Sequence, residues 1–299
     1  MTISHILLRA GALACLSGAA FAQTPSPDWA LRLPQQDRVA FRGVLNLDGA
    51  GQGPGTMLYP APGVAGLLVA IATHGALVNS SRNEEKSKIE VEADKVLLPY
   101  QDILTGYGHR ELLANALPQT AFGHDRKVIG AEEAGGANWV VESTPVFYMT
   151  QDQSALVLEN QVQIYKPGAA PKQPSYQNMV RVVSQVREHG DLPAYWHDNL
   201  GQELKTESAS LMAMSLDIAL SHAAEATAAP APPSAFRTFR YRQGKQEVVE
   251  RAQLVNEQCG RSLLKTLRGW LMSVPLLNRG AAPASSACET VGKVKPAAG

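Results

Sequence analysis

Three stretches in the middle of the chain alternate apolar and polar residues with a period of two, and no other feature restricts the fold as much. In Leu156 to Tyr165, the side chains of Leu156, Leu158, Val162 and Ile164 alternate with Val157, Glu159, Gln161 and Gln163. That spacing predicts a strand with one buried and one wet face. Trp139 to Met149 precedes it across the polar turn Gln151-Asp152-Gln153, which predicts a hairpin. After the Pro-rich loop Lys166 to Pro174, Tyr176 to Arg187 alternates again, with Val180, Val182 and Val186 opposite Arg181, Gln185 and Arg187. Three such strands on short or modest connections predict an antiparallel meander with one face in water.

The flanks read differently. Val39 to Leu47 predicts a strand, and Thr56 to Tyr59 a short one after the Gly-rich stretch Asp48 to Gly55. That stretch is a loop rather than a phosphate cradle, because no Lys-Ser or Lys-Thr follows and Pro54 removes a backbone donor. Gly63 to Val78 is apolar on every face apart from His74. At about sixteen residues it is short for a membrane span. A buried central helix is the first reading, with an oligomer seam or membrane insertion as alternatives. Ser81 and Glu84 have capping-box spacing and open a helix whose stripe is Ile89, Ala93, Val96 and Leu97. Pro99 ends or kinks it, and His109 to Leu117 predicts a shorter helix stopped by Pro118.

Asn199 to Glu225 predicts a long helix with Leu204, Leu211, Met214 and Ile218 on one side, followed by the linker Ala226 to Pro233. Phe236 to Arg242 and Lys245 to Val255 predict a hairpin across Gln243-Gly244. Arg261 to Leu277 reads as an amphipathic helix, with Leu263, Leu264, Leu267, Trp270, Leu271 and Val274 on one stripe. Arg261, Lys265 and Arg268 form a basic face beside Trp270; the first reading is a helix packed on the sheet with these residues in water, and the alternative is a face for a membrane or a partner. Segregated helices and antiparallel pairs predict an α+β fold, an antiparallel sheet of meander plus C-terminal hairpin packed against several helices in one mature domain.

Residues 1–22 carry Arg9, the apolar run Ala10 to Ala22 and the triplet Ala20-Phe21-Ala22, the anatomy of a secretory signal peptide cleaved after Ala22. Ala12-Leu13-Ala14-Cys15 loosely resembles a lipoprotein box, so anchoring through a lipidated Cys15 is the alternative. A polar lead-in (23–38), the α+β domain (39–279) and an Ala/Pro-rich tail (280–299) follow. Of the three cysteines, Cys259 and Cys288 survive cleavage and are expected to pair in an oxidising compartment, tethering the tail. A loop of about 30 residues closed in this way constrains the unfolded chain by about 3.6 kcal/mol.

The charges balance, 27 Lys+Arg against 27 Asp+Glu, which gives no electrostatic footprint for nucleic acid. Gly-x-Ser-x-Gly is absent, and Ser80 and Ser81 near His74 make no convincing nucleophile group. No residue is assigned a catalytic role, and no cofactor or metal is expected. Four histidines lie within two residues of an acid: His109 with Glu111, His124 with Asp125, His189 with Asp191, and His197 with Asp198. The expectation is an exported, periplasmic, non-enzymatic binding, scaffold or assembly component, with an envelope protein or the membrane surface as partner. A secreted hydrolase or metal-dependent enzyme, tested first at His189, Asp191, His197 and Asp198, is the alternative. A peripheral membrane protein is the third reading.

Overall fold

A computed structural model describes residues 27–45, 79–133, 138–168, 173–225 and 234–277. The leader, Thr56 to Tyr59, Gly63 to Val78, the linker Ala226 to Pro233, Cys288 and the tail lie outside them. In chain order, β1 (Trp29–Arg32) and β2 (Ala40–Gly43) precede a helical segment. That segment is α1 (Asn79–Asp94), a 3-10 stretch (Lys95–Tyr100) holding Pro99, α2 (Gln101–Gly106) and α3 (His109–Ala116). Then come β3 (Arg126–Ile129), β4 (Trp139–Met149), β5 (Leu156–Tyr165), β6 (Tyr176–Val183) and the long α4 (Leu192–Glu225). β7 (Arg237–Gln243), β8 (Gln246–Gln258), β9 (Arg261–Thr266) and β10 (Leu271–Pro275) close the described chain.

All ten strands join one mostly antiparallel sheet, in the order β3-β1-β4-β5-β6-β10-β9-β8-β7, with β2 also on β4. The expected meander is its centre: β4 pairs β5 from Val140↔Tyr165 to Met149↔Leu156, and β5 pairs β6 from Val157↔Val183 to Ile164↔Tyr176. Beyond it, the chain enters the sheet in ways that alternation does not specify. β10 lies parallel to β6, with Leu271↔Val180 and Ser273↔Val182, and so splices the C-terminal strands onto the meander. On the other side β1 and β2 both run parallel to β4, β1 against Trp139 to Val141 and β2 against Val146 to Met149. β1 lies within the stretch read as a polar lead-in, and its Trp29, Ala30 and Leu31 are fully buried.

One face of the meander is the main core. Val141, Phe147 and Met149 of β4, Leu156, Leu158, Val162 and Ile164 of β5, and Val180 and Val182 of β6 are buried there under α4. The α4 side is rich in small residues, Ala209, Ala213, Ala219 and Ala223 beside Leu204, Met212, Leu216 and Leu220, which brings the helix backbone close to the sheet. The sequence expects this helix to begin at Asn199. The long helix does start there, at the end of a break over Asp198 to Gly201, where Asn199, Leu200 and Gly201 all take left-handed φ values of 53°, 59° and 74°; a short helical segment from Leu192, not expected, precedes the break. Gly201 is required there, because a Cβ would stand 2.7 Å from Ile103 Cγ2 as well as at positive φ.

Arg261 to Leu277 corrects the sequence reading outright: it is the β9–β10 hairpin, not a helix. Its leucines satisfy a helical stripe and a strand pattern equally. Gly269, at φ 79°, turns the chain back, and β9 buries alternate residues Ser262, Leu264 and Thr266. Among the described residues, no helix is long and apolar enough to cross a membrane.

Candidate functional site

The second face of the meander was expected to be wet, and half of it is covered. β6 and β7 are separated by three intervening strands, which in a flat sheet puts them about 19 Å apart. Yet Arg181 on β6 donates from Nη2 to Gln243 Oε1 on β7 at 2.8 Å. The strands β10, β9, β8 and β7 therefore curl over that face. Under the curl, Val157, Val183, Tyr241, Ala252, Leu264, Met272 and Val274 form a second apolar cluster, with Tyr148 and Phe239 packed against it.

Arg181 is the charged centre of this face. Its Nη1 lies 3.4 Å from Glu159 Oε1 of β5. Burial favours loss of its proton, but Tyr241, Glu159, Glu250 and Tyr148 around it hold the guanidinium charged and raise its pKa. Burial pushes the Tyr148 phenol up to about 12, and raises Tyr241 and Glu250 above their ordinary values despite the opposing pull of Arg181. At pH 7 both phenols are neutral hydrogen-bonding groups, not bases.

Asp152, in the β4–β5 turn, pins the end of the curl. It accepts hydrogen bonds from Thr150 Oγ1 at 2.6 Å, from Ser154 N and Oγ at 3.0 and 2.8 Å, and from the backbone N–H of Lys245 in the β7–β8 turn at 2.5 Å. Burial alone would raise this carboxyl, but those donors outweigh it and hold its pKa below the usual range. A local turn residue thus holds a hairpin almost a hundred residues away in sequence.

The three basic residues expected to share a face beside Trp270 are divided. Arg261 turns inward: its Nε donates to Ser273 Oγ at 2.9 Å and its Nη2 to the carbonyls of Val183 at 2.6 Å and Ser273 at 3.0 Å. Burial brings its pKa down to about 10. Lys265 is on the same strand face, near His222 of α4. Arg268 stands over the Trp270 ring at 5.2 Å in the hairpin loop, beside an exposed Leu267. Cys259 sits in the β8–β9 turn at φ 52°. Its expected partner Cys288 falls outside the described residues, so the pairing stands as a proposal.

The rings of His189, His197 and His109 do not meet the carboxylates next to them in sequence. His189 Nδ1 is 3.0 Å from Asp191 O, and Asp191 Oδ1 accepts from Ala194 N at the start of α4. His197 Nε2 instead meets Asp102 Oδ2 of α2 at 3.2 Å, and Asp198 begins the helix break. His109 is buried against the carbonyls of Gln36 and Asp37, while Glu111 pairs with Lys205. Among the described residues, no three His, Cys, Asp or Glu side chains converge on a point where a metal could sit.

Arg181, Tyr241 and Glu250 were not picked out from sequence, although a signal was present. Met179 and Val183 flank Arg181 on the face read as wet, and both are buried. Apolar residues interleaved on a nominally wet face indicate a cover. The chain matches no known protein family, no curated protein and no solved structure.

Proposed function

We propose that this is an exported, periplasmic component of a bacterial-type cell envelope that acts by binding, as a scaffold or assembly factor, rather than by chemistry. The observation that carries the reading is how the polar groups are used. Arg181, Arg261, Asp152 and His109 hold separate parts of the fold to one another, whereas the C-terminal hairpins present the outer edge of β7 and exposed Phe236, Val249, Val255 and Leu267. Exposed apolar residues on and beside these strands are suited to contact with another macromolecule. The intact mass of the native protein, taken without reduction from soluble and membrane fractions, tests the export half. A soluble chain beginning at Gln23 and two daltons light agrees with cleavage after Ala22 and a Cys259–Cys288 disulfide. A chain beginning at lipidated Cys15 makes it an anchored lipoprotein, and an uncleaved cytoplasmic chain contradicts the reading. Photocross-linking in cells from Val249 or Leu267 tests the binding half, which predicts a discrete adduct and is contradicted by free chain alone at both positions.

A second reading has its own observation. Leu267, 57% exposed, projects beside the Arg268–Trp270 pair at the tip of the β9–β10 hairpin. An apolar tip with a cation and an indole fits the headgroup zone of an anionic membrane. Trp270 emission that does not change on adding phosphatidylglycerol vesicles removes this reading.

A further inference from the structure

We propose that the free edge of β7 takes an extended segment of a partner protein as an added antiparallel strand, and that this segment alternates acidic with apolar residues. The inference rests on the binding reading above and deepens it by naming the partner's chemistry. β7 and β3 are the two ends of the sheet, and among the described residues no strand pairs the outer side of β7. β3 is four residues long and its Arg126 side chain bonds Thr120 O, whereas β7 runs for seven residues. A strand of that length with an unpaired edge is a template for β-addition.

The hairpin turn dictates which groups are on offer. Gln243 pairs Gln246 across a two-residue turn, so these two exchange hydrogen bonds, as do Tyr241, Phe239 and Arg237 with their partners on β8. The backbone N–H and C=O groups of Thr238, Arg240 and Arg242 therefore point outward from the sheet edge. The side chains of those three residues are all exposed on the outer face. Phe239 and Tyr241 alternate with them on the concave face, against the second apolar cluster.

An added strand places its own side chains beside these, alternately on the two faces. Residues beside Arg240 and Arg242 meet positive charge, and residues on the other face lie beside Phe239, which is partly exposed over the second apolar cluster. β7 contains Arg237, Arg240 and Arg242 and no acid. Glu247 pairs with Arg240 at 2.6 Å, and among the described residues Arg242 has no ion pair. The same arginines oppose a second copy of β7, because antiparallel self-pairing sets arginines against arginines. Charge on the edge thus rejects self-association and selects an acidic strand.

The test uses the mature protein and a capped octapeptide of alternating valine and glutamate, followed by fluorescence anisotropy and by residue-resolved amide exchange. Binding with slowed exchange at Thr238, Arg240 and Arg242 is expected. A valine–lysine octapeptide should not bind. Arg242→Glu should weaken binding about tenfold, and Thr238→Pro, which removes an outward donor, should abolish it. If Thr238→Pro does not fold by circular dichroism, Arg242→Glu, altered at an exposed side chain, decides. No binding, equal binding of the lysine peptide, protection confined to residues outside β7, or an unaffected Arg242→Glu overturns the proposal, as does a dimer paired through β7. A correctly exported, cross-linkable protein that ignores the octapeptide refutes strand addition while leaving the binding reading intact.

Discussion

Asn160 shows how one residue can join two layers. It sits on β5 between Leu158 and Val162, on the strand face that is otherwise apolar, and it is fully buried. Its Oδ1 accepts from Ser143 Oγ of β4 at 2.7 Å and its Nδ2 donates to Ser215 Oγ of α4 at 2.9 Å, while Ser215 itself donates to Met212 O. Removing the amide leaves buried hydroxyls without their partner, which costs about 2 kcal/mol. Asn160→Ala should therefore lower the urea unfolding free energy by about that amount with an unchanged m-value. Gly201→Ala should cost about 2 kcal/mol, from the left-handed φ together with the contact on Ile103, and a thermal melt reads it directly. Asn160 is the one polar residue on the apolar face of β5, a signal in the sequence that the alternation reading passed over. The role of Gly201 was not legible, since the start expected at Asn199 did not announce that a short helical segment precedes the break.

Elements were legible where a single periodicity applied and illegible where two did. β4, β5 and the β7–β8 hairpin follow period two and appear nearly at their expected bounds, whereas β6 starts at Tyr176 as expected but ends at Val183, four residues before Arg187. α3 ends where Pro118 requires, and Pro99 diverts the first helical segment into a 3-10 stretch. Arg261 to Leu277 satisfied both templates, and the strand form prevails because β6 offers a free edge to β10. The Asp152 clamp between the β4–β5 and β7–β8 turns carries a pH signature. Its folded pKa is depressed, so the unfolded chain binds its proton more readily. The stabilisation is present above the ordinary carboxylate value and is lost as pH falls through the lower folded one. Acid titration of stability below pH 4 should be flatter in Asp152→Asn than in the wild type. An identical slope would show that the clamp does not form.

For the whole molecule, the meander and the helix covering it follow from pattern, but the strand order does not. Parallel entry of β1 and β2 onto β4 and of β10 onto β6 depends on long-range competition for sheet edges, to which local alternation is blind. The face read as wet becomes an interior only because β10 to β7 return over it, and that return converts Arg181 from a solvent residue into the centre of a polar cluster. The strand-addition proposal depends on this curl, since it seats the inner side chains of β7 on the second apolar cluster. The most direct test is a cross-relaxation measurement by NMR between the Arg181 side chain and the Gln243 side-chain amide in selectively labelled protein. The fold predicts a strong cross-peak, from groups bonded at 2.8 Å. If both spin systems are assigned and no cross-peak connects them, as strands about 19 Å apart in a flat sheet require, the curl is absent.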